Sequence, residues 1–266
     1  MVHNPKKSFQ ELFKDHKYVS VKNCLYNYLL RKRAIEKCLK DDHPELMLEV
    51  GSGISPLVTD RSNIVYSDIS FEAISILKQS QTSANYVVAD GAHLPFKADT
   101  YSHAICSEVL EHLPDDRPAI SEMFRTLKKP QGRLILTVPH RKRYYGYDDR
   151  YVKHYRRYEL LEIKNRLKAA GFQPICIQKI LGPLEKITML AVVFLFSNLN
   201  KSKSPPISSG QNLKPGLMNF SVFVFKWINQ FYKGYVWLDA KIMPRCFSTV
   251  ILIESAVTRK ASKSYG

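Results

Sequence analysis

The chain has 266 residues, 45% of them hydrophobic, so it can bury a full core as one domain of ordinary size. Its 40 Lys and Arg residues exceed its 24 Asp and Glu residues, which favours anionic partners such as nucleic acid, a phosphorylated substrate or a membrane surface. The five cysteines are widely spaced without a CxxC pair, which argues against a disulfide framework and a zinc site. No signal peptide is visible, and a cytoplasmic location is expected.

Short apolar runs alternate with helix-like segments from the N-terminus onward. Helices are predicted over 21–40, 71–79, 115–129 and 157–170. Strands are predicted at 46–50, 63–68, 85–90, 101–107, 132–138 and 172–180. Gly171 is predicted to cap the helix that precedes the sixth strand. Such alternation is typical of a parallel α/β sheet with crossover helices.

From about residue 180 the alternation stops. Two strongly apolar segments, 184–199 and 217–238, flank a polar linker, and one more strand is predicted at 247–257. In the second segment a polar helical face is predicted from Lys226, Asn229, Gln230 and Lys233, and an apolar face from Phe220, Val224, Trp227, Ile228 and Phe231. Both segments are too short or too interrupted to span a bilayer. An interfacial pair of helices that contacts lipid is one interpretation, and a lid or a dimer interface are the others.

The stretch LMLEVGSGISPLV (46–58) indicates a buried strand that runs into a glycine turn. Gly51 and Gly53 allow the backbone to approach a ligand closely and to expose its amides. A dinucleotide fingerprint needs a third glycine where Pro56 stands, so that fit is poor. Glu49, just before the turn, can order it by accepting backbone N–H bonds, or lie near a cationic ligand.

Acidic residues also end the next two predicted strands. Asp68 ends the second strand, where the ribose hydroxyls of an adenosine ligand would be held, and Asp90 ends the third. The tips of three successive strands therefore carry polar groups, which predicts a ligand site at the carboxyl edge of the sheet.

With these motifs the chain resembles the class I S-adenosylmethionine-dependent methyltransferases. LEVGSGIS is similar to their glycine-rich cofactor loop, with Ser55 where the third glycine usually stands. ADGAHLPF (89–96), SEVLEHLPD (107–115) and LKKPQGRLILTVP (127–139) resemble later segments of the same core, and the likeness covers roughly 45–178 plus the last strand. The cofactor-binding residues that the resemblance implies are Glu49, Gly51, Ser52, Gly53, Asp68, Ile69, Asp90, Gly91, Ala92 and Ser107.

The resemblance implies a Rossmann-like α/β fold. Its seven-stranded, mostly parallel sheet would have an antiparallel last strand, helices on both faces, and a helical insertion between strands 6 and 7. The predicted division is a helical cap (1–44), a methyltransferase core (45–179), an apolar insertion (180–245), and a last strand with a basic tail (246–266). The HYRRY motif at 154–158 is similar to a type 11-like branch often associated with glycan, lipid or secondary-metabolite biosynthesis.

Methyl transfer needs a nucleophile placed in line and shielded from water, and a hydroxyl acceptor is helped by a general base. Three histidines are candidates for that base, namely His112, His140 and His154. His3, His16 and His43, in the N-terminal extension, are given no chemical role. Arg156, Arg157 and Tyr158 are candidates for binding an anionic acceptor, because the guanidinium fork suits phosphate and carboxylate. A solvated basic loop with Tyr158 packed inward and an RNA-binding face remain open as alternatives.

The function predicted from the sequence is methyl transfer to a small-molecule, glycan or lipid-linked acceptor, at oxygen. An RNA methyltransferase and a non-catalytic cofactor-binding protein of the same fold are the competing interpretations. No metal site is predicted. Peripheral contact with the inner face of the membrane is a further expectation, through residues 184–238.

Overall fold

The computed structural model describes residues 23–40, 42–80, 84–191 and 215–258, with the side chains of 215–226 left undescribed. The N-terminal extension with His3 and His16, the polar linker and the basic tail therefore lie outside the described residues. So do the side chains of Phe220, Val224 and Lys226, which were assigned to the two faces of the second apolar segment.

Seven strands form one sheet in the order β3-β2-β1-β4-β5-β7-β6. They are β1 (Met47–Val50), β2 (Ile64–Asp68), β3 (Asn85–Val88), β4 (His103–Ser107), β5 (Arg133–Pro139), β6 (Phe172–Leu181) and β7 (Val250–Val257). The first five strands pair in parallel, whereas β7 runs antiparallel to both β5 and β6. The predicted sheet, with its single antiparallel strand, is confirmed.

Helices cover both faces of this sheet, as predicted. The helices are α1 (Tyr26–Lys40), α2 (Phe71–Ser80), α3 (Arg117–Thr126), α4 (Tyr147–Tyr151), α5 (Leu160–Ala170), α6 (described over 183–191) and α7 (Pro215–Ile242). Met123 of α3 and Leu167 of α5 are buried on one face of the sheet. Ile35 and Leu39 of α1 share the core of the other face with Val236 of α7. Each layer closes through apolar side chains at helical spacing, which is the pattern that the sequence carries.

The end of α5 sets the position of the sixth strand. Gly171 adopts a left-handed conformation (φ 102°) directly after the helix, and its amide donates to the carbonyl of Lys168 at 3.0 Å. A side chain is strained in this region of backbone space, so glycine is the residue that allows the sharp stop. The predicted C-cap is confirmed, and β6 begins at Phe172, immediately after it.

The apolar segments after β6 form helices that dock onto the core by one side. Val236 is fully buried, and the ring of Tyr232 meets that of Tyr26 edge-on at 5.1 Å. Asp239 accepts a hydrogen bond from the amide of Leu184 at 3.0 Å and so ties α7 to α6. In the part of the chain that the structure describes, no helix is long and apolar enough to cross a membrane.

Candidate active site

The polar residues that the sequence places at strand tips lie at one edge of the sheet. The strand order reverses direction at β1, because β2 and β3 lie on one side of it and β4 and β5 on the other. Parallel sheets bind ligands in the crevice at the carboxyl ends of the strands on either side of such a switch point. The segments that follow β1, β2 and β4 therefore frame the candidate site.

The glycine turn after β1 is folded tightly against the segment after β4. Gly51 and Gly53 both have positive φ angles, 72° and 56°. The Gly51 amide donates to Ser67 at 2.8 Å, and a Cβ at Gly51 would lie 2.3 Å from Cγ2 of Val109. Glycine is required at position 51 both by the backbone conformation and by this contact.

Asp68 links the tip of β2 to the glycine turn. Its carboxylate accepts hydrogen bonds from the amides of Gly53 at 2.8 Å and Ser70 at 2.9 Å. The next side chain, Ile69, is 41% exposed. The Oγ of Ser52, a buried residue in the turn, has no hydrogen-bond partner among the described residues. The turn at 51–53, the Asp68 carboxylate and the Ile69 side chain together form what we call the cradle. Within it the Ser52 hydroxyl is available for a further hydrogen bond.

The third predicted contact segment follows β3. Asp90 accepts a hydrogen bond from the amide of Ala92 at 3.0 Å, which shapes the turn through Gly91. A Cβ at Gly91 would come within 3.1 Å of Val50 at the end of β1. The Asp90 turn therefore lies close to the start of the glycine turn, and the roles of Asp90, Gly91 and Ala92 in cofactor binding stay a prediction.

Glu49 orders the loop that follows the glycine turn. It is buried, and its two carboxyl oxygens accept hydrogen bonds from the amides of Leu57 at 2.8 Å and Val58 at 3.3 Å. Burial raises the pKa of Glu49 to about 8, because desolvation outweighs the two amide donors. We therefore infer that Glu49 holds the loop in place. Its effect on a ligand is then indirect, because it helps to position the glycine turn.

The raised pKa gives Glu49 a testable pH signature. The folded state keeps a proton on Glu49 that the unfolded chain has already released, so the stabilisation is complete below the ordinary pKa and lost as the pH rises through about 8. Glu49→Gln cannot titrate at this position. Between pH 5 and 9 the free energy of unfolding of the wild type should therefore fall by about 2 kcal/mol or more relative to that of Glu49→Gln. Urea denaturation at several pH values measures the difference. Glu45→Gln, at an exposed carboxylate, is the control, and parallel profiles for all three proteins would refute the assignment.

Polar side chains from β4, β5 and α1 meet beyond the glycine turn. Ser107 Oγ lies 2.7 Å from Thr137 Oγ1 and 3.3 Å from the guanidinium of Arg31. Thr137 also donates to Glu108 at 3.1 Å, and Glu108 has a left-handed backbone (φ 54°) that is costly for a residue with a side chain. The predicted contact residue Ser107 thus sits in a shared polar network, over which α1 lies.

Glu111, His112 and His154 come together next to this network. The imidazole rings of His112 and His154 pack edge to face with centroids 4.6 Å apart. His154 Nε2 lies 3.9 Å from Glu111 Oε1, while its Nδ1 lies 3.0 Å from Oδ1 of Asp149. Glu111 is fully buried, and burial together with the charge of Glu108 raises its pKa well above the ordinary value. Two of the three predicted catalytic histidines are therefore neighbours.

His140, the third candidate, is placed differently. It is buried with its Nδ1 2.5 Å from Ser248 Oγ, and burial beside Arg141 lowers its pKa to about 4. An imidazole that stays neutral and is closed off by the start of β7 does not fit a base in contact with an acceptor. We correct the prediction for His140 to a structural role.

Arg157 and Tyr158 also require correction. Arg157 is 5% exposed and donates to Asp149 at 2.8 Å, in a buried cluster where Lys186 contacts Asp148 at 2.6 Å and Asp149 at 2.8 Å. Hydrogen bonds from His154 and Arg157 outweigh burial and hold the pKa of Asp149 well below its usual range. Arg157 therefore neutralises buried carboxylates of its own chain and cannot clamp an anionic acceptor in this conformation.

Tyr158 lies in the core and is fully buried. Its hydroxyl donates to Asp116 at 2.6 Å, a carboxylate that also binds Arg166. Arg156, by contrast, is partly exposed and donates to the carbonyls of Leu113 at 3.0 Å and of Pro114. Of the three residues predicted to bind an acceptor, only Arg156 keeps an exposed surface, and its role stays a prediction.

Comparison with known proteins agrees with this geometry. Residues 48–136 match the family model described as a methyltransferase domain. The chain carries a methyltransferase domain. The resemblance to class I S-adenosylmethionine-dependent methyltransferases is thereby confirmed, whereas the HYRRY branch stays a prediction.

Individual relatives match the chain over part of their length. The chain is 35% identical over 95 residues to an uncharacterised protein of Methanocaldococcus jannaschii, which is 35% of this chain and 40% of that one. It is 25% identical over 111 residues to the demethylmenaquinone methyltransferase of Streptomyces griseus, 40% and 48% of the two chains. The match therefore spans less than half of each of these two curated relatives.

The fold of the methyltransferase domain and its flanks has a counterpart among solved structures. A S-adenosylmethionine-dependent methyltransferase of Thermotoga maritima, described as a possible histamine N-methyltransferase, superposes with a TM-score of 0.59. The superposition covers 95% of this chain and 99% of that one at 16% identity. This likeness concerns the fold alone.

Proposed function

We propose that the chain is a S-adenosylmethionine-dependent methyltransferase that acts on a small-molecule, glycan or lipid-linked acceptor at oxygen. The observation that carries the proposal is the cradle at the switch point of the sheet. Two glycines with positive φ place a backbone turn there, and Asp68 is bonded directly to the second of them. The methyltransferase domain spans the turn, Asp68 and the Asp90 segment.

The residues of the cradle fit the cofactor. Asp68 is an acceptor for ribose hydroxyls, exposed Ile69 offers an apolar surface to an adenine ring, and the buried Ser52 hydroxyl has capacity for a further hydrogen bond. When bound, S-adenosylmethionine supplies a methyl carbon made electrophilic by its sulfonium; transfer to a hydroxyl leaves the electron pair on sulfur and releases the hydroxyl proton. The chain itself has to hold the cofactor, place the acceptor in line and keep water out.

The acceptor side of the site is the cluster of Glu111, His112 and His154. Glu111 and His112 closely follow Val109, which contacts the glycine turn, and His154 packs on His112, so the cluster lies beside the place where the cofactor would be held. Their oxygen and nitrogen atoms suit a hydroxyl group, either as hydrogen-bond partners or as acceptors of its proton. This supports oxygen as the methylated atom.

Cofactor binding is tested by Asp68→Ala. Losing a charged partner for the ribose hydroxyls should weaken binding of S-adenosylmethionine by about 1.5–3 kcal/mol, the scale of a hydrogen bond to a charged group. Isothermal titration of the folded variant measures this. Asp60→Ala, at an exposed acid in the following loop, should bind like the wild type. Wild-type affinity in folded Asp68→Ala would remove Asp68 from the site.

A lipid-linked acceptor is favoured by the outer side of α7. Four side chains at helical spacing, Ile228, Phe231, Tyr235 and Ile242, are each at least 60% exposed, although they are large and apolar. The net charge of +16 would attract the same surface to anionic lipid. The relative from Streptomyces griseus acts, by its name, on demethylmenaquinone. We therefore propose peripheral contact with a membrane through α7.

Vesicle flotation tests this contact. Replacing Ile228, Phe231 and Tyr235 with serine should abolish co-flotation with vesicles that contain phosphatidylglycerol, because about 0.8 kcal/mol is lost for each CH₂ withdrawn from the lipid. Leu161→Ser, at an exposed apolar residue on α5, is the control and should float like the wild type. If the wild type stays at the bottom of the gradient, the membrane proposal is wrong.

A further inference from the structure

Three side chains with metal-binding atoms converge on the acceptor side of the site. Glu111, His112 and His154 each offer one ligand atom, and these atoms all lie within 4.8 Å of one another. The tertiary fold brings them together, because the amide of Tyr155 donates to the carbonyl of Glu111 at 2.8 Å and fixes the two segments side by side.

In the described part of the chain, the Glu111 carboxyl group is buried without the hydrogen-bond partners that such a group normally has. It is fully buried, and neither of its oxygens has a hydrogen-bond partner among the described residues. Leaving a buried carboxyl group without partners costs free energy that folding alone does not recover. The two cations whose charge acts on Glu111, Arg31 and Arg157, do not supply the missing contact. Arg31 donates to Asn27 and Ser107, and Arg157 donates to Asp149 and Thr249.

His154 is oriented as a ligand would be. Its Nδ1 lies 3.0 Å from Oδ1 of Asp149, and Asp149 is itself held by Arg157. An ionised carboxylate can only accept a hydrogen bond, so Nδ1–H is the donor in this contact. In the neutral imidazole the lone pair is then on Nε2, the nitrogen 3.9 Å from Glu111. A histidine fixed by a carboxylate behind it is the usual support for a metal-binding imidazole.

We propose that Glu111, His112 and His154 bind one divalent transition-metal ion. Metal–ligand bonds of 2.0–2.2 Å put neighbouring ligand atoms about 3.0–3.5 Å apart, so the three side chains have to close in by roughly an ångström. Two imidazoles and one carboxylate suit zinc, iron, cobalt and manganese, and three protein ligands leave coordination positions open. If the proposed function holds, an oxygen of the acceptor takes one of these positions beside the cofactor cradle.

Cobalt(II) is the probe for this site, since its visible absorption reports the ligands around it. Untagged protein is titrated with cobalt chloride, and the bound metal is counted after dialysis by mass spectrometry. One equivalent should bind with new visible bands. Glu111→Gln and His154→Gln should each raise the dissociation constant for cobalt at least tenfold, whereas His43→Gln, at an exposed histidine outside the cluster, should leave it unchanged.

Folding and cofactor binding are measured on the same samples, by circular dichroism and by titration with S-adenosylmethionine. If Glu111→Gln unfolds, His112→Gln and His154→Gln decide the outcome in its place. The wild type binding no cobalt, or binding it equally well in the cluster variants and in His43→Gln, overturns the metal site. If the protein binds S-adenosylmethionine but does not bind cobalt, only the metal site is refuted. If it binds cobalt but does not bind S-adenosylmethionine, only the proposed function is refuted.

Discussion

Replacing Arg157 with alanine should lower the free energy of unfolding by about 3–5 kcal/mol, the cost of removing one partner from a buried ion pair. Arg157 is buried, donates to Asp149 at 2.8 Å and to the carbonyl of Thr249 at 3.3 Å, and so connects the segment before α5 to the start of β7. Without it, Lys186 is left to balance two buried carboxylates.

Arg156→Ala is the matched control, since it removes the same side chain one position earlier. Arg156 is partly exposed and bonds backbone carbonyls, so its loss should cost about 1 kcal/mol. Urea denaturation of the two variants and the wild type gives the comparison. Equal midpoints for Arg157→Ala and the wild type would show that the buried cluster does not hold this edge of the fold, and would return Arg157 to the list of acceptor-binding candidates.

The contrast between these arginines shows where sequence reasoning ends. A motif rich in basic and aromatic residues predicts an anion-binding or solvated loop, because charge is usually exposed. The compensating carboxylates of Arg157 and Tyr158 are Asp149 and Asp116, and the second of these is 42 residues away from its partner. A contact of that separation has no local pattern, so the sequence allowed Tyr158 to pack inward but did not reveal its partner Asp116 or the burial of Arg157.

The sheet was predictable for the opposite reason. Its inner strands are buried on both faces and rich in apolar residues, as in β1 (MLEV) and β5 (RLILTVP). Gly171 ended a helix because of its own conformational freedom, and Asp68 stood at the tip of a strand that the sequence already defined. These features depend on neighbours within a few residues.

The candidate site combines local sequence motifs with contacts between residues that are distant in the sequence. The glycine turn and the acids after β2 and β3 form a local motif, whereas the cluster of Glu111, His112 and His154 joins residues separated by more than 40 positions. Because metal sites are recognised in sequences by closely spaced ligands, this one left no signal beyond the adjacent pair Glu111 and His112. The sequence indicates each histidine only separately, as a candidate base.

Gly51→Ala should raise the dissociation constant for S-adenosylmethionine about a hundredfold. The backbone at Gly51 has a φ of 72°, which costs an alanine roughly 1–2 kcal/mol, and the new Cβ would lie 2.3 Å from Cγ2 of Val109. Val109 has to move to relieve the overlap, and it precedes Glu111 and His112 by two and three residues. The substitution therefore distorts the glycine turn and displaces the segment that carries Glu111 and His112.

Gly234→Ala is the control for this variant, because a Cβ at Gly234 meets no atom within 4 Å and alanine favours the helix by up to about 1 kcal/mol. It should bind the cofactor like the wild type and be at least as stable. Isothermal titration and thermal unfolding of both variants separate loss of binding from loss of fold. Gly51→Ala that is folded and binds S-adenosylmethionine normally would mean that the turn after β1 is not the cofactor loop, and the ligand would have to be sought at another part of the sheet edge.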